Sequence, residues 1–76
     1  MIELIETIVK PLVDHPDDVT VSKDEQANKI VYTLSVNQDD MGKVIGKQGR
    51  VAKAIRTVVY TAASKSDKKV YLEIRD

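Results

Sequence analysis

Val44-Ile45-Gly46-Lys47-Gln48-Gly49-Arg50 decides how the rest of the chain is read. Gly46 and Gly49, with a lysine and a glutamine between them, stand where one helical pattern stops and another starts. Val44 and Ile45 lead in, and Val51, Ile55, Val58 and Ala62 follow as an apolar stripe at helical spacing. Glycine lacks a Cβ and takes up positive φ, so the backbone there can turn sharply and come close to another molecule. A loop that opens onto a helix N-terminus also points free N–H groups and a partial positive charge at solvent, a combination that suits a phosphate.

The helix after the loop runs from Arg50 to about Ser64. At about 100° per residue, Val51, Ala52, Ala54, Ile55, Val58, Val59, Ala62 and Ala63 cover about half its circumference, more than the stripe of roughly 100° that one core needs. The surplus predicts a second buried surface, with Val58, Val59 and Ala62 as candidate interface residues. Tyr60 falls on the opposite face with Lys53, Arg56, Thr57 and Ser64, where its ring can pack on lysine and arginine stems. Lys65-Ser66-Asp67-Lys68 reads as a loop, and Val70, Leu72 and Ile74 alternate through a last strand.

Before the loop, Met41 to Ile45 is a helix of little more than one turn, and Asn37-Gln38-Asp39-Asp40 supply capping side chains for it. Asp39 and Asp40 lack the neighbouring imidazole or basic partner in sequence that a catalytic or metal role requires. Ile30, Tyr32, Leu34 and Val36 alternate with Val31, Thr33 and Ser35 as the clearest strand. Val19 to Ser22 is a shorter one, and Lys23 to Lys29 is the polar turn of an antiparallel hairpin. Ile2, Ile5, Val9 and Leu12, with Leu4, Ile8 and Val13, make an amphipathic helix over residues 2–14 that Pro11 interrupts and bends. Return from the second strand to the third through two helices is a crossover, which favours parallel pairing. The class is therefore α+β, order αββααβ, with a three-stranded mixed sheet and helices on one face.

With 76 residues the chain is expected to form one domain, 1–76. A domain of this size buries only ~60–65% of its unfolded surface, and the chain has no cysteine to brace it. Acidic residues near the start and the lack of a membrane-length apolar run predict a soluble, cytoplasmic protein with no membrane partner. Net charge is zero, but residues 1–40 carry nine acids against three bases, and residues 41–76 carry nine bases against three acids. A basic half centred on a glycine loop is the footprint that a phosphate backbone requires. His15 is the only histidine and has no Cys and no second His with which to share a metal, and no Ser-His-acid or Cys-His set is available. No cofactor, small-molecule substrate or enzymatic activity is expected. Gly42-Lys43-Val44-Ile45-Gly46-Lys47 has the outline of a P-loop but three residues between its glycines instead of four, and Gln48 where Ser or Thr should bind magnesium.

Gly46-Lys47-Gln48-Gly49 between two helices resembles the Gly-x-x-Gly loop with which KH domains clamp a nucleic-acid backbone. Its flank through Arg50, the run Ala54-Ile55-Arg56-Thr57-Val58-Val59-Tyr60, and Ile8-Val9-Lys10-Pro11-Leu12 are similar to the KhpA family of small bacterial RNA-binding proteins. The resemblance implies the type II, or prokaryotic, KH fold, in agreement with the αββααβ pattern. It implies single-stranded RNA, about four nucleotides long, in a groove between the helix-loop-helix and the sheet. Gly46 and Gly49 would bring backbone against phosphates, Lys47 would add charge, and Gln48 would add a neutral donor and acceptor. Lys43, Arg50 and Lys53 would extend the contact. Ile45, with Val44 and Ile55, would form an apolar floor, and the strand from Ile30 to Leu34 the other wall.

Members of the family are understood to self-associate and to pair with KhpB (also called Jag) in an RNA-chaperone complex linked to cell-wall synthesis and cell shape. The resemblance thus implies a homodimer and a heteromer with KhpB. Ala52 departs from the KH pattern, which commonly has a larger aliphatic residue three places after the second glycine. The chain has no Phe or Trp and three tyrosines that do not pair, so an aromatic stacking platform is not expected. One copy would bind weakly, and joining copies would raise affinity through avidity. The alternative is a KH-fold adaptor that binds protein only. Lys47, and a net charge of +7 over residues 41–69, weigh against it.

Overall fold

The structure, a computed structural model, describes residues 1–76. Helix α1 (Ile2–Val9) buries Ile5 and Val9 and ends sooner than its apolar spacing predicts. Pro11 has no N–H to give, and its ring collides with the carbonyl four residues back. Lys10–Leu12 therefore tightens into a 3-10 turn, and Val13 leaves it extended at φ −113°, ψ 158°.

Strands β1 (Thr20–Glu25) and β2 (Lys29–Ser35) pair antiparallel, from Thr20↔Ser35 to Glu25↔Ile30. β1 runs on through Lys23, Asp24 and Glu25, residues that sequence alone assigns to the turn. It is an edge strand, where charged side chains reach water and discourage further pairing. The turn shrinks to Gln26-Ala27-Asn28, closed by the Gln26 N–H donating to the Lys29 carbonyl at 2.7 Å.

A 3-10 turn (Gln38–Asp40) leads into α2 (Met41–Ile45), and the glycine loop into α3 (Arg50–Ala62). Strand β3 (Lys69–Arg75) then pairs in parallel with β2, from Lys29↔Lys69 to Ser35↔Arg75. The sheet order is β1-β2-β3, with α1 packed over β1 and α3 over β3. This is the α+β arrangement, αββααβ, that the sequence predicts. Ile5, Val9, Leu34, Val44 and Val59 are fully buried between the layers, with Tyr32, Val36, Ile55 and Leu72 around them. Each large aliphatic side chain so buried contributes about 1.5–3 kcal/mol.

One polar residue belongs to this core. Asp40 is 1% exposed, and its carboxylate accepts the N–H of Asp14 at 3.1 Å and of His15 at 3.0 Å. The sequence reading assigns its side chain to capping α2, and the structure shows no such cap. The side chain ties the end of the first helical segment to the start of α2 instead. Asn37 does cap, accepting the Asp39 N–H at 2.8 Å. Lys43 lies 3.8 Å from the Asp40 carboxylate, which supplies the basic partner that the sequence seemed to lack.

Candidate nucleic-acid interface

Gly46 ends α2 at φ 74°, ψ 177°, a region in which only glycine is at ease. The ψ value swings the next peptide away from the helix direction. A Cβ on Gly46 would lie 2.9 Å from the Cβ of Val51 and 3.0 Å from its nitrogen, so the loop folds back onto the first turn of α3 with no room for a side chain. Gln48 (φ 58°, ψ 26°) and Gly49 (φ 74°, ψ 16°) are consecutive left-handed residues. The left-handed conformation costs the glutamine about 1–2 kcal/mol, a strain characteristic of working loops. The N–H groups of Gly49 and Arg50 close this turn on the carbonyls of Gly46 and Lys47, and the loop opens on the positive end of the α3 dipole. The side chains of Lys47 and Gln48 are exposed beside it.

The cations divide into two sets. The Lys43 ammonium donates to the Asp14 carboxylate and sits near Asp40. The hydrogen bond to Asp14 holds Lys43 above its ordinary pKa and Asp14 below its own. Lys68 bonds Glu25 at 2.9 Å, and Lys23 lies 3.3 Å from the same carboxyl, which is held below its ordinary value first by Lys68 and then by Lys23. Lys47, Arg50, Lys53 and Arg56 have no carboxylate within ion-pair distance. Four unpaired cations thus lie on the loop and the first two turns of α3, while Lys29, Lys65, Lys69 and Arg75, also unpaired, lie elsewhere. Lys43 is the predicted contact whose charge is already engaged.

Three expectations about side-chain placement change. Val44 and Ile55 are buried in the core and offer nothing to a groove floor, which leaves Ile45, half-buried, as the apolar residue there. Val59 is 0% exposed, so it cannot meet a partner, whereas Val58 is 43% exposed and Ala54 and Ala62 are exposed with it. The strand beside α3 is β3 rather than the Ile30–Leu34 stretch, because β2 lies in the middle of the sheet. Two features were not foreseen: the Asp40 tie, and Arg56, whose Nε–H donates to the Leu72 carbonyl at 3.3 Å. Spacing gave a hint of the second, since Gly49, Lys53, Arg56 and Tyr60 share one face of α3.

A mixed sheet of this order, with a glycine-flanked loop joining its two consecutive helices, defines a KH domain. A family model for the KhpA/KhpB KH domain matches residues 2–74, and the chain belongs to that family. It is similar to the RNA-binding protein KhpA of Listeria monocytogenes, 62% identical over 74 residues that make up 97% of each chain. It is also similar to the RNA-binding protein KhpA of Bacillus subtilis, 60% identical over 97% of this chain and 91% of that one. Among solved structures, Aquifex aeolicus Era bound to GDP and aluminium fluoride superimposes with a TM-score of 0.62 at 20% identity. The match covers 97% of this chain and 29% of Era and speaks to the fold alone.

Proposed function

We propose that this chain binds single-stranded RNA without catalysing a reaction on it, gripping the strand with Gly46-Lys47-Gln48-Gly49. The observation that carries the reading is the loop itself. Its backbone is held in a conformation that glycine permits, and Lys47, Arg50 and Lys53 stand around it without carboxylate partners. The relatives named RNA-binding protein KhpA support the ligand class. Lys47 and Arg50 take phosphates, Gln48 adds a neutral hydrogen-bonding group, and Lys53 lengthens the contact along α3. Ile45 supplies the half-buried apolar surface beside the loop. Lys43 contributes less, since Asp14 and Asp40 already hold its charge.

The family resemblance supports a wider reading: a cytoplasmic RNA chaperone that works as a homodimer or beside KhpB in cell-wall and cell-shape homeostasis. Val58 and Ala62, exposed on α3, are the residues that fit a subunit interface. The test is fluorescence anisotropy with a labelled single-stranded RNA at two salt concentrations, comparing the parent chain with a folded Lys47→Asp, Gln48→Asp variant. Binding that weakens with salt and vanishes in the variant is the expected result. Equal binding by both moves the site elsewhere, and binding by neither leaves the protein-only adaptor.

A further inference from the structure

The parallel register sets Lys29 of β2 directly beside Lys69 of β3, with Val31 beside Tyr71 next along. Neighbouring strands run about 4.8 Å apart, and successive side chains point to opposite faces. Tyr32 and Leu72 are buried against the helices, so Lys29, Val31, Lys69 and Tyr71 belong to the opposite, open face of the sheet. Two ammonium groups brought together in this way repel each other and weaken the sheet. Neither lysine has a carboxylate within ion-pair distance to relieve it. Asp24, on the same face of β1, accepts from Gln26 at 3.0 Å, and Glu73 stands two residues beyond Tyr71. Lysine on an edge strand is ordinarily a guard against further pairing, which would account for Lys69. It does not account for Lys29, because β2 is the central strand and has no free edge.

We propose that Lys29 and Lys69, with the ring of Tyr71, form a second RNA contact on the open face of the sheet, indifferent to base sequence, for nucleotides beyond those in the clamp. This contact rests on the RNA-binding reading above. Unpaired lysines beside an exposed ring supply what single-stranded RNA needs: charge for the phosphates and a flat surface on which any base can stack. Tyr71 is 43% exposed. Position favours RNA over an acidic protein as the occupant. Helix α3 spans 13 residues, about 20 Å, and leads from the clamp at its N-terminus to the loop before Lys69. The clamp holds about four nucleotides, so a longer RNA has residues to spare at that end. A depression of about 360 Å³ has both Tyr60 of α3 and Tyr71 of β3 among its lining residues. It therefore straddles the edge of β3 and gives the RNA a way round to the open face.

The test compares a labelled uridine pentamer with a labelled uridine dodecamer by anisotropy at several salt concentrations. The proteins are the parent chain, a Lys29→Met, Lys69→Met variant and Tyr71→Ala. Removing the lysine pair should lower the salt slope for the dodecamer by about 1.4, from about 0.7 for each phosphate released, and leave the pentamer slope unchanged. Tyr71→Ala should weaken dodecamer binding on the order of tenfold without changing its slope. The lysine variant loses a repulsion, so its circular dichroism spectrum should match the parent's. A dodecamer slope that survives loss of both lysines overturns the proposal, as does an equal fall for the two lengths. An unchanged RNA slope, with lost binding to a labelled glutamate-rich peptide, also overturns it and assigns the lysines to an acidic protein. Those outcomes leave the clamp intact. Failure of both RNAs to bind the parent chain, or undiminished pentamer binding by the Lys47→Asp, Gln48→Asp variant, removes the clamp and this second contact together.

Discussion

Gly46 and Val51 are packed so closely that no side chain fits between them, with Val51 Cβ 2.9 Å from where a Cβ on Gly46 would sit. Gly49 differs: it also has φ +74°, but nothing lies within 4 Å of its missing Cβ. The two glycines of the loop are therefore needed for different reasons. Gly46→Ala meets both backbone strain and a collision and should cost about 3 kcal/mol. Gly49→Ala meets strain alone and should cost about 1 kcal/mol. Urea unfolding of both variants measures the difference, and equal losses would refute the packing argument.

Asp40 is expected to matter more to stability than any other carboxylate. Asp40→Ala would strand the N–H groups of Asp14 and His15 and should cost about 2–3 kcal/mol. Asp40→Asn keeps one acceptor oxygen and should lose about half as much. Asp39→Ala, one residue earlier and exposed, should stay within about 0.5 kcal/mol of the parent. Thermal unfolding monitored by circular dichroism separates the three.

The contrast between Asp39 and Asp40 shows where the sequence stops being informative. The glycine loop, strand β2 and helix α3 are legible because turn chemistry and hydrophobic period are local signals. The role of Asp40 depends on partners 25 and 26 residues away, and that of Lys43 on one 29 away, which no local pattern encodes. Val58 and Val59 make the same point at shorter range. Both lie on the broad apolar half of α3, and only the direction from which the sheet approaches decides that Val59 is core and Val58 is surface. The length of β1 was hidden for a related reason, since an edge strand tolerates the polar residues that otherwise signal a turn.

Acid sensitivity should follow two carboxylates. Lys43 holds Asp14, and Lys68 with Lys23 holds Glu25, below their ordinary values. A carboxylate lowered in this way adds stability above its unfolded value and loses it as pH falls through the lowered one. The window thus lies below the ordinary carboxylate range. Asp14→Asn and Glu25→Gln should each be slightly less stable than the parent at neutral pH and converge on it in strong acid. Unfolding midpoints across the acid range test this, and a gap that persists in acid would assign the effect to something other than titration.

Val58 and Val59 also separate association from folding. Val59→Asp puts a carboxylate into the core and should unfold the chain. Val58→Asp should keep the circular dichroism spectrum and, if this face of α3 joins two copies, lower the mass measured by light scattering. An unchanged mass from a chain shown to be oligomeric would place the interface elsewhere.

The salt dependence of RNA binding should rank the cations by their freedom. Each phosphate neutralised on a single strand contributes about 0.7 to the slope of log affinity against log salt, through release of condensed counterions. Lys47 has no carboxylate partner, so Lys47→Met should lower the slope by about that amount. Lys43 is held by Asp14 and Asp40, so Lys43→Met should change the slope by much less. Asp14→Asn should do the opposite of Lys47→Met: with one carboxylate gone, Lys43 is freed towards solvent, and the slope should steepen. Anisotropy titrations at four or more salt concentrations give all three slopes. Equal losses for Lys43→Met and Lys47→Met would mean that RNA displaces Asp14 from its lysine, and that the ion pair opens whenever the strand is bound.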